Sequence, residues 1–133
     1  MPADRVVVDT SVWVDGLRGG RLANLLRDLL VDSLAVLPSP VVTELLVGAR
    51  PGADQEAVET VVASAASLVP EASDYESAGR LGQRLRRKGV TVGTVDLLLA
   101  ALAIRVSAPL WSLDRHFTAV ARHEKALKLF ESS

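Results

Sequence analysis

The chain has 133 residues, 49% of them hydrophobic, with no cysteine and a net charge of −1. One domain spanning 1–133 is expected, because a chain of this length buries about two-thirds of its unfolded surface and needs no disulfides or thiolate zinc to close a core. The longest apolar run, Leu97 to Ile104, falls far short of the roughly 18 residues of a membrane span, and Asp4, Asp9 and Asp15 interrupt the stretch that a signal peptide would keep apolar.

Val6-Val7-Val8 is an apolar triplet ending at Asp9, the pattern of a buried parallel strand. Thr10 or Ser11 can cap the helix that follows, whose stripe is Leu22, Leu25, Leu26, Leu29 and Leu30. Leu34 to Leu37 reads as a second strand. Ser39 as N-cap and Pro40 at the first helical position open a helix to about Val47, which stops near Gly48 and Pro51. Asp54 starts another, with Val58, Val61, Val62 and Ala65 on one face. Ser73 and Glu76 have capping-box spacing, so a helix is expected from Asp74 to Lys88, ending at Gly89. Gly93-Thr94 caps a helix from Val95 to about Val106 that is apolar nearly all round and therefore central. Leu110 to Leu113 suits a strand, Arg115 to His123 a last helix, and Leu127 to Phe130 an edge strand. This alternation predicts an α/β fold with a central, mainly parallel sheet flanked by helices.

Charge is unevenly spread. Residues 1–66 carry a net −4 and residues 67–133 a net +3, with Arg80, Arg84, Arg86, Arg87 and Lys88 crowded together. Cations suit a helix C-terminus, so this cluster reads either as a solvated helix end or as a surface for phosphates.

Four acids stand where an apolar core would want none: Asp9 after the valine triplet, Glu44 in VVTELLVG, Asp96 in TVDLLLAALA and Asp114 in WSLDRHF. Singly, each has a plain explanation. Asp9 and Asp114 could cap helices, Asp96 could favour a helix dipole, and Glu44 lies roughly opposite the stripe of Val41, Val42, Leu45 and Leu46. Together they point to one crevice, because in a parallel sheet the strand ends carrying Asp9 and Asp114 open where helix N-termini point, and Asp96 is in a first helical turn. On its helix Asp96 aligns with Leu99, Ala100 and Ala103, whose size suggests room for an ion. Carboxylates sharing a pocket must protonate or bind a cation, and an all-oxygen set suits Mg²⁺ with Mn²⁺ as a substitute. His116 and His123 lack metal-motif spacing and read as packing residues. Such a pocket suits metal-assisted hydrolysis of a phosphodiester.

VVVDTSVWVD, PSPVVTELLVG, TVDLLLAALA and SLDRHF, in this order, resemble the four acidic motifs of PIN-domain ribonucleases across nearly the whole chain. The compact length makes the resemblance strongest to a VapC-type toxin of a bacterial toxin–antitoxin pair. The resemblance implies a PIN-like single domain and a cytoplasmic, Mg²⁺- or Mn²⁺-dependent endoribonuclease. It further implies action on structured RNA, commonly tRNA, as a homodimer silenced by a cognate antitoxin. Carried over by position, it implies Asp9, Glu44, Asp96 and Asp114 as catalytic and metal-holding residues, with Thr10 as the hydroxyl beside the first aspartate and Ser11 next to it. Substrate contacts are expected from Arg80, Arg84, Arg86, Arg87 and Lys88, with Arg115 nearer the pocket.

Two other classes compete. A non-catalytic RNA- or protein-binding module would keep the fold, but none of the four acids is lost. A phosphotransfer enzyme with an aspartate nucleophile would show DxD at the first strand, where this chain has DTS. A mean hydropathy of +0.27 predicts apolar surface left for partners, drawn from the Leu22–Leu30 stripe and the Val58–Val62 face, although the larger share of both is expected to cover the sheet. The same resemblance implies an arginine or lysine of the antitoxin that neutralises the four acids in place of the cation.

Overall fold

The computed structural model describes residues 4–131; residues 1–3 and 132–133, the ends of the expected domain, lie outside the described residues. Strand β1 (Val6–Val8) is followed by α1 (Thr10–Leu17), α2 (Ala23–Val31), β2 (Ala35–Pro38), α3 (Ser39–Gly48) and α4 (Ala53–Ser64). Then come β3 (Ala66–Leu68), α5 (Ala72–Arg87), α6 (Thr94–Val106), β4 (Leu110–Trp111) and α7 (His116–His123). The four strands form an all-parallel sheet in the order β3-β2-β1-β4. All three residues of β1 are buried, as expected of a strand with a neighbour on each side and both faces covered. The chain steps outward from β1 through β2 to β3, then returns to place β4 on the other side of β1. The switch point of this α/β sheet therefore lies between β1 and β4, and ligands bind beyond the strand ends at such points.

The largest buried side chains are Trp13, Trp111 and Phe117. The Trp13 indole donates to the Val8 carbonyl at 3.0 Å, so the ring that fills the core also fixes the exit of β1. Helix α6 buries Leu98 through Ala103 without interruption, which confirms it as the central helix.

Several local expectations change. The stretch after Asp9 is two helices: the chain turns at Gly19 and Gly20, and Asp15 Oδ2 accepts the Leu22 N–H at 2.8 Å, supporting the start of α2. Ser39 is not the N-cap of α3; Pro38 holds that position, and the Ser39 hydroxyl reaches the Leu68 carbonyl instead. The capping box of α5 is Glu71 with Asp74 rather than Ser73 with Glu76. At its other end, Gly89 (φ 78) accommodates a Schellman turn in which Gly89 N–H bonds Arg86 O and Val90 N–H bonds Leu85 O. The strand expected over Leu110 to Leu113 is shorter, and Leu127 to Phe130 contributes only a single bridge, Leu110 to Leu129. Strand β3 was not expected at all.

The apolar surface is also elsewhere. Leu22, Leu26, Val58 and Val61 are buried, while Val31, Leu46, Val47, Val69, Tyr75 and Leu113 are exposed. The leucine stripe and valine face cover the core and leave partner surface chiefly to other positions.

Candidate active site

Helices α5 and α6 form a tight hairpin. A Cβ on Gly82 would come within 2.8 Å of Leu97 Cδ1, so a larger residue there would require the Leu97 side chain to shift. The hairpin brings the end of α5 to the level of the first turn of α6, where Asp96 stands.

Asp9 lies just beyond β1, 5% exposed. It occupies the N-cap position of α1, yet its side chain makes no capping bond. Its Oδ2 instead accepts from the Ser11 hydroxyl at 2.9 Å and the Ser112 hydroxyl at 2.7 Å. Each serine also accepts a backbone N–H, Ser11 from Leu113 and Ser112 from Asp114, both at 2.9 Å. Two hydroxyls thus tie the Asp9 carboxylate to the segment joining β4 to α7. Ser112 left no signal in the sequence; it and Ser11 supply the hydroxyls on Asp9, while Thr10, the hydroxyl residue expected beside the first aspartate, bonds Glu44. Thr10 Oγ1 donates to Glu44 Oε1 at 2.6 Å, orienting an exposed carboxylate on α3 toward the start of α1.

Asp114 Oδ1 accepts the His116 backbone N–H at 2.9 Å from the position before Arg115, which is the N-cap of α7. The His116 ring is exposed, but its Nδ1 lies 3.2 Å from Asp114 Oδ1 and 3.9 Å from Asp96 Oδ2. His116 therefore belongs to the acidic cluster rather than to packing. The only local signal was its place two residues after Asp114. Leu99, Ala100 and Ala103 do not line an ion space as expected; they are buried in the main core and back the site from beneath.

Asp96 reports on the whole arrangement. Its carboxyl is raised to about 6, first by burial and then by the negative charges of Asp9, Asp114 and Glu44 in that order, with His116 opposing them. Among the described residues, no lysine or arginine pairs with any of the four acids. Donor atoms of Asp96, Asp114 and His116 all lie within 4.8 Å of one another. Uncompensated carboxylates with convergent donors fit a hard divalent cation, which Asp9, Asp96 and Asp114 would hold with Glu44 alongside.

The basic residues divide. Arg80 pairs with Glu76 at 3.4 Å and Arg84 with Glu124 at 3.1 Å, whereas Arg86, Arg87 and Lys88 stand exposed at the end of α5. Arg115 is exposed directly beside Asp114. His123 lines a surface depression with Arg84, Arg87 and Lys88.

A model of the PIN domain matches residues 6–123, so the chain belongs to the PIN-domain family. Ribonuclease VapC11 of Mycobacterium tuberculosis is 35% identical over 123 residues, covering 88% of this chain and 92% of that protein. Ribonuclease VapC19 of the same species is 33% identical over 114 residues, covering 84% and 90%. Within the PIN domains this is a member of the VapC ribonuclease family. The fold agrees with solved toxin–antitoxin structures. VapBC2 from Rickettsia felis, bound to a DNA fragment from its promoter, has a TM-score of 0.78 at 21% identity and covers 96% of this chain and 98% of that one. Mycobacterium tuberculosis VapC20, a sarcin-ricin loop cleaving toxin, has a TM-score of 0.64 at 17% identity and covers 86% and 93%.

Proposed function

We propose that this protein is an endoribonuclease toxin that hydrolyses phosphodiester bonds in structured RNA, tRNA foremost. In this reading it uses Mg²⁺ or Mn²⁺ and is silenced by a cognate antitoxin in the cytoplasm. The observation that carries the reading is the convergence of Asp9, Glu44, Asp96 and Asp114 at the switch point, where the charges of three of them help keep the fourth from ionising readily. When bound, a divalent ion supplies an acidified water and neutralises charge developing on the phosphate.

The chain's own contribution is positional. Asp9 is held by Ser11 and Ser112, and Glu44 by Thr10, so these carboxylates lose little freedom on engaging a cation. Asp96 and Asp114 complete the set from α6 and from the entry to α7. Arg86, Arg87, Lys88 and Arg115 are free to meet phosphates flanking the reacting one, with Arg80 and Arg84 reaching them by leaving exposed, low-value ion pairs. A basic side chain of the antitoxin entering the acidic cluster would neutralise it in place of the cation. Exposed Leu46, Val47, Val69 and Tyr75 supply apolar area for a second copy of the chain.

Expression of the wild type and of Asp9→Asn in cells, followed by mapping of RNA ends, tests this function. New ends concentrated in tRNA with the wild type alone are expected. The same ends from Asp9→Asn would overturn the nuclease reading, and ends confined to other RNAs would overturn the choice of tRNA.

A further inference from the structure

An imidazole among carboxylates changes the kind of ion a site prefers. His116 is joined to Asp114 through its backbone N–H, which holds the two residues in a fixed relation at the entry to α7. Its ring is largely solvent-exposed, yet Nδ1 is directed at oxygens of Asp114 and Asp96. Among the described residues, the ring makes no hydrogen bond of good geometry to either. A ring nitrogen and two carboxylates are thus brought together at separations that one cation could bridge.

The spacing is suitable. For octahedral ligands about 2.1 Å from an ion, neighbouring donors lie about 3.0 Å apart and opposite donors about 4.2 Å apart. The separations from Nδ1, 3.2 Å to Asp114 Oδ1 and 3.9 Å to Asp96 Oδ2, fall within or close to that range, and all three donors lie within 4.8 Å of one another.

We propose that His116 Nδ1 is a direct ligand of the divalent ion held by Asp96 and Asp114, placing one nitrogen among the oxygens and biasing the site toward Mn²⁺ over Mg²⁺. The inference rests on the reading of the acidic cluster as a cation site. Its chemistry is that of donor softness: Mg²⁺ favours oxygen and gains little from imidazole, whereas transition ions accept it readily.

Pulsed electron paramagnetic resonance of the Mn²⁺-loaded protein detects a directly bound nitrogen through ¹⁴N modulation. Wild-type protein should show imidazole ¹⁴N modulation, and His116→Ala and His116→Gln should both lack it. Calorimetric titration with each metal alone should show the ratio of Mn²⁺ to Mg²⁺ affinity falling roughly tenfold or more in both variants, a loss of the size that follows damage around a metal site. Because the ring is exposed, both variants should retain the fold, which circular dichroism checks. Mn²⁺ binding without ¹⁴N modulation, or modulation retained in the variants, would overturn the ligand role of His116 while leaving the cation site standing. Failure of the wild type to bind Mn²⁺ or Mg²⁺ at all would overturn the cation site and this inference with it.

Discussion

Each end of helix α6 lies beside a buried or half-buried acid, its own Asp96 at one end and Asp74 of α5 at the other, and the two have opposite electrostatic fates. Near its C-terminus, Arg105 grips Asp74 of α5 through Nε at 2.8 Å and a second guanidinium nitrogen at 3.0 Å, with Glu71 3.4 Å away. Those hydrogen bonds hold the Asp74 carboxyl below the usual range against the opposing effect of burial. At the N-terminus, Asp96 is partly buried and meets only like charges and one histidine, and it is raised to about 6 by burial first and those charges second. One end of the hairpin is neutralised from within the chain and serves the fold. The other is left short of positive charge, which is a cost in the isolated protein and the basis of attraction for a cation or a basic side chain.

Catalysis should separate the two ends most strongly. Asp9→Asn and Asp96→Asn should each lower cleavage of purified tRNA by at least roughly 10²-fold, the upper end of losses seen for altered metal surroundings, and excess chelator should do the same to the wild type. Arg105→Met should leave the cleavage rate per folded molecule near that of the wild type. Equal losses at both ends would erase the distinction.

Stability should reverse that order. Arg105→Ala strands the buried Asp74 carboxylate and should cost about 3 kcal/mol in denaturant unfolding. Asp96→Asn removes one of several repelling charges and should leave the metal-free protein as stable as the wild type or more so.

The acid limb of the stability curve gives a finer test. Asp74 has a folded pKa below its unfolded value, so its contribution is present above about pH 4 and is lost as pH falls through the depressed folded value. Acid unfolding of the wild type should therefore show a loss of stability below that point that is reduced in a variant lacking both Asp74 and Arg105.

The smallest expected effect concerns Arg84, Arg86 and Arg87. Replacing the three together should flatten the dependence of RNA affinity on salt by up to about two or three units of logarithmic slope, at roughly 0.7 to 0.9 per phosphate contact. An unchanged slope would return this segment to the role of a solvated helix end.

The contrast also marks what the sequence could reveal. The parallel-sheet core, the central helix and the four acids were legible because each depends on local pattern: a valine triplet before Asp9, an all-apolar run after Asp96, a capping pair before it. What failed depends on distant partners. Glu71 with Asp74 and Ser73 with Glu76 have the same spacing, and the choice between them favours the acid that Arg105 can bury from 31 residues away. Strand β3 is three residues, none fully buried, and owes its form to pairing with β2. Ser112 acquires its role from Asp9 across the β1–β4 junction, and His116 from Asp96 on another helix. Neither relation leaves a local periodicity to read.

Thermal unfolding across a titration with Mn²⁺, carried out on the wild type and Asp96→Asn side by side, asks whether the uncompensated end is a cation site. A ligand that binds only the folded state raises stability by RT ln(1 + [L]/Kd), about 2.7 kcal/mol at a hundredfold excess over Kd. The wild type should rise in Tm along that curve, while Asp96→Asn, at least as stable without metal, should show a much weaker response. A wild type indifferent to Mn²⁺, or a variant that rises equally, would contradict a cation site built on Asp96.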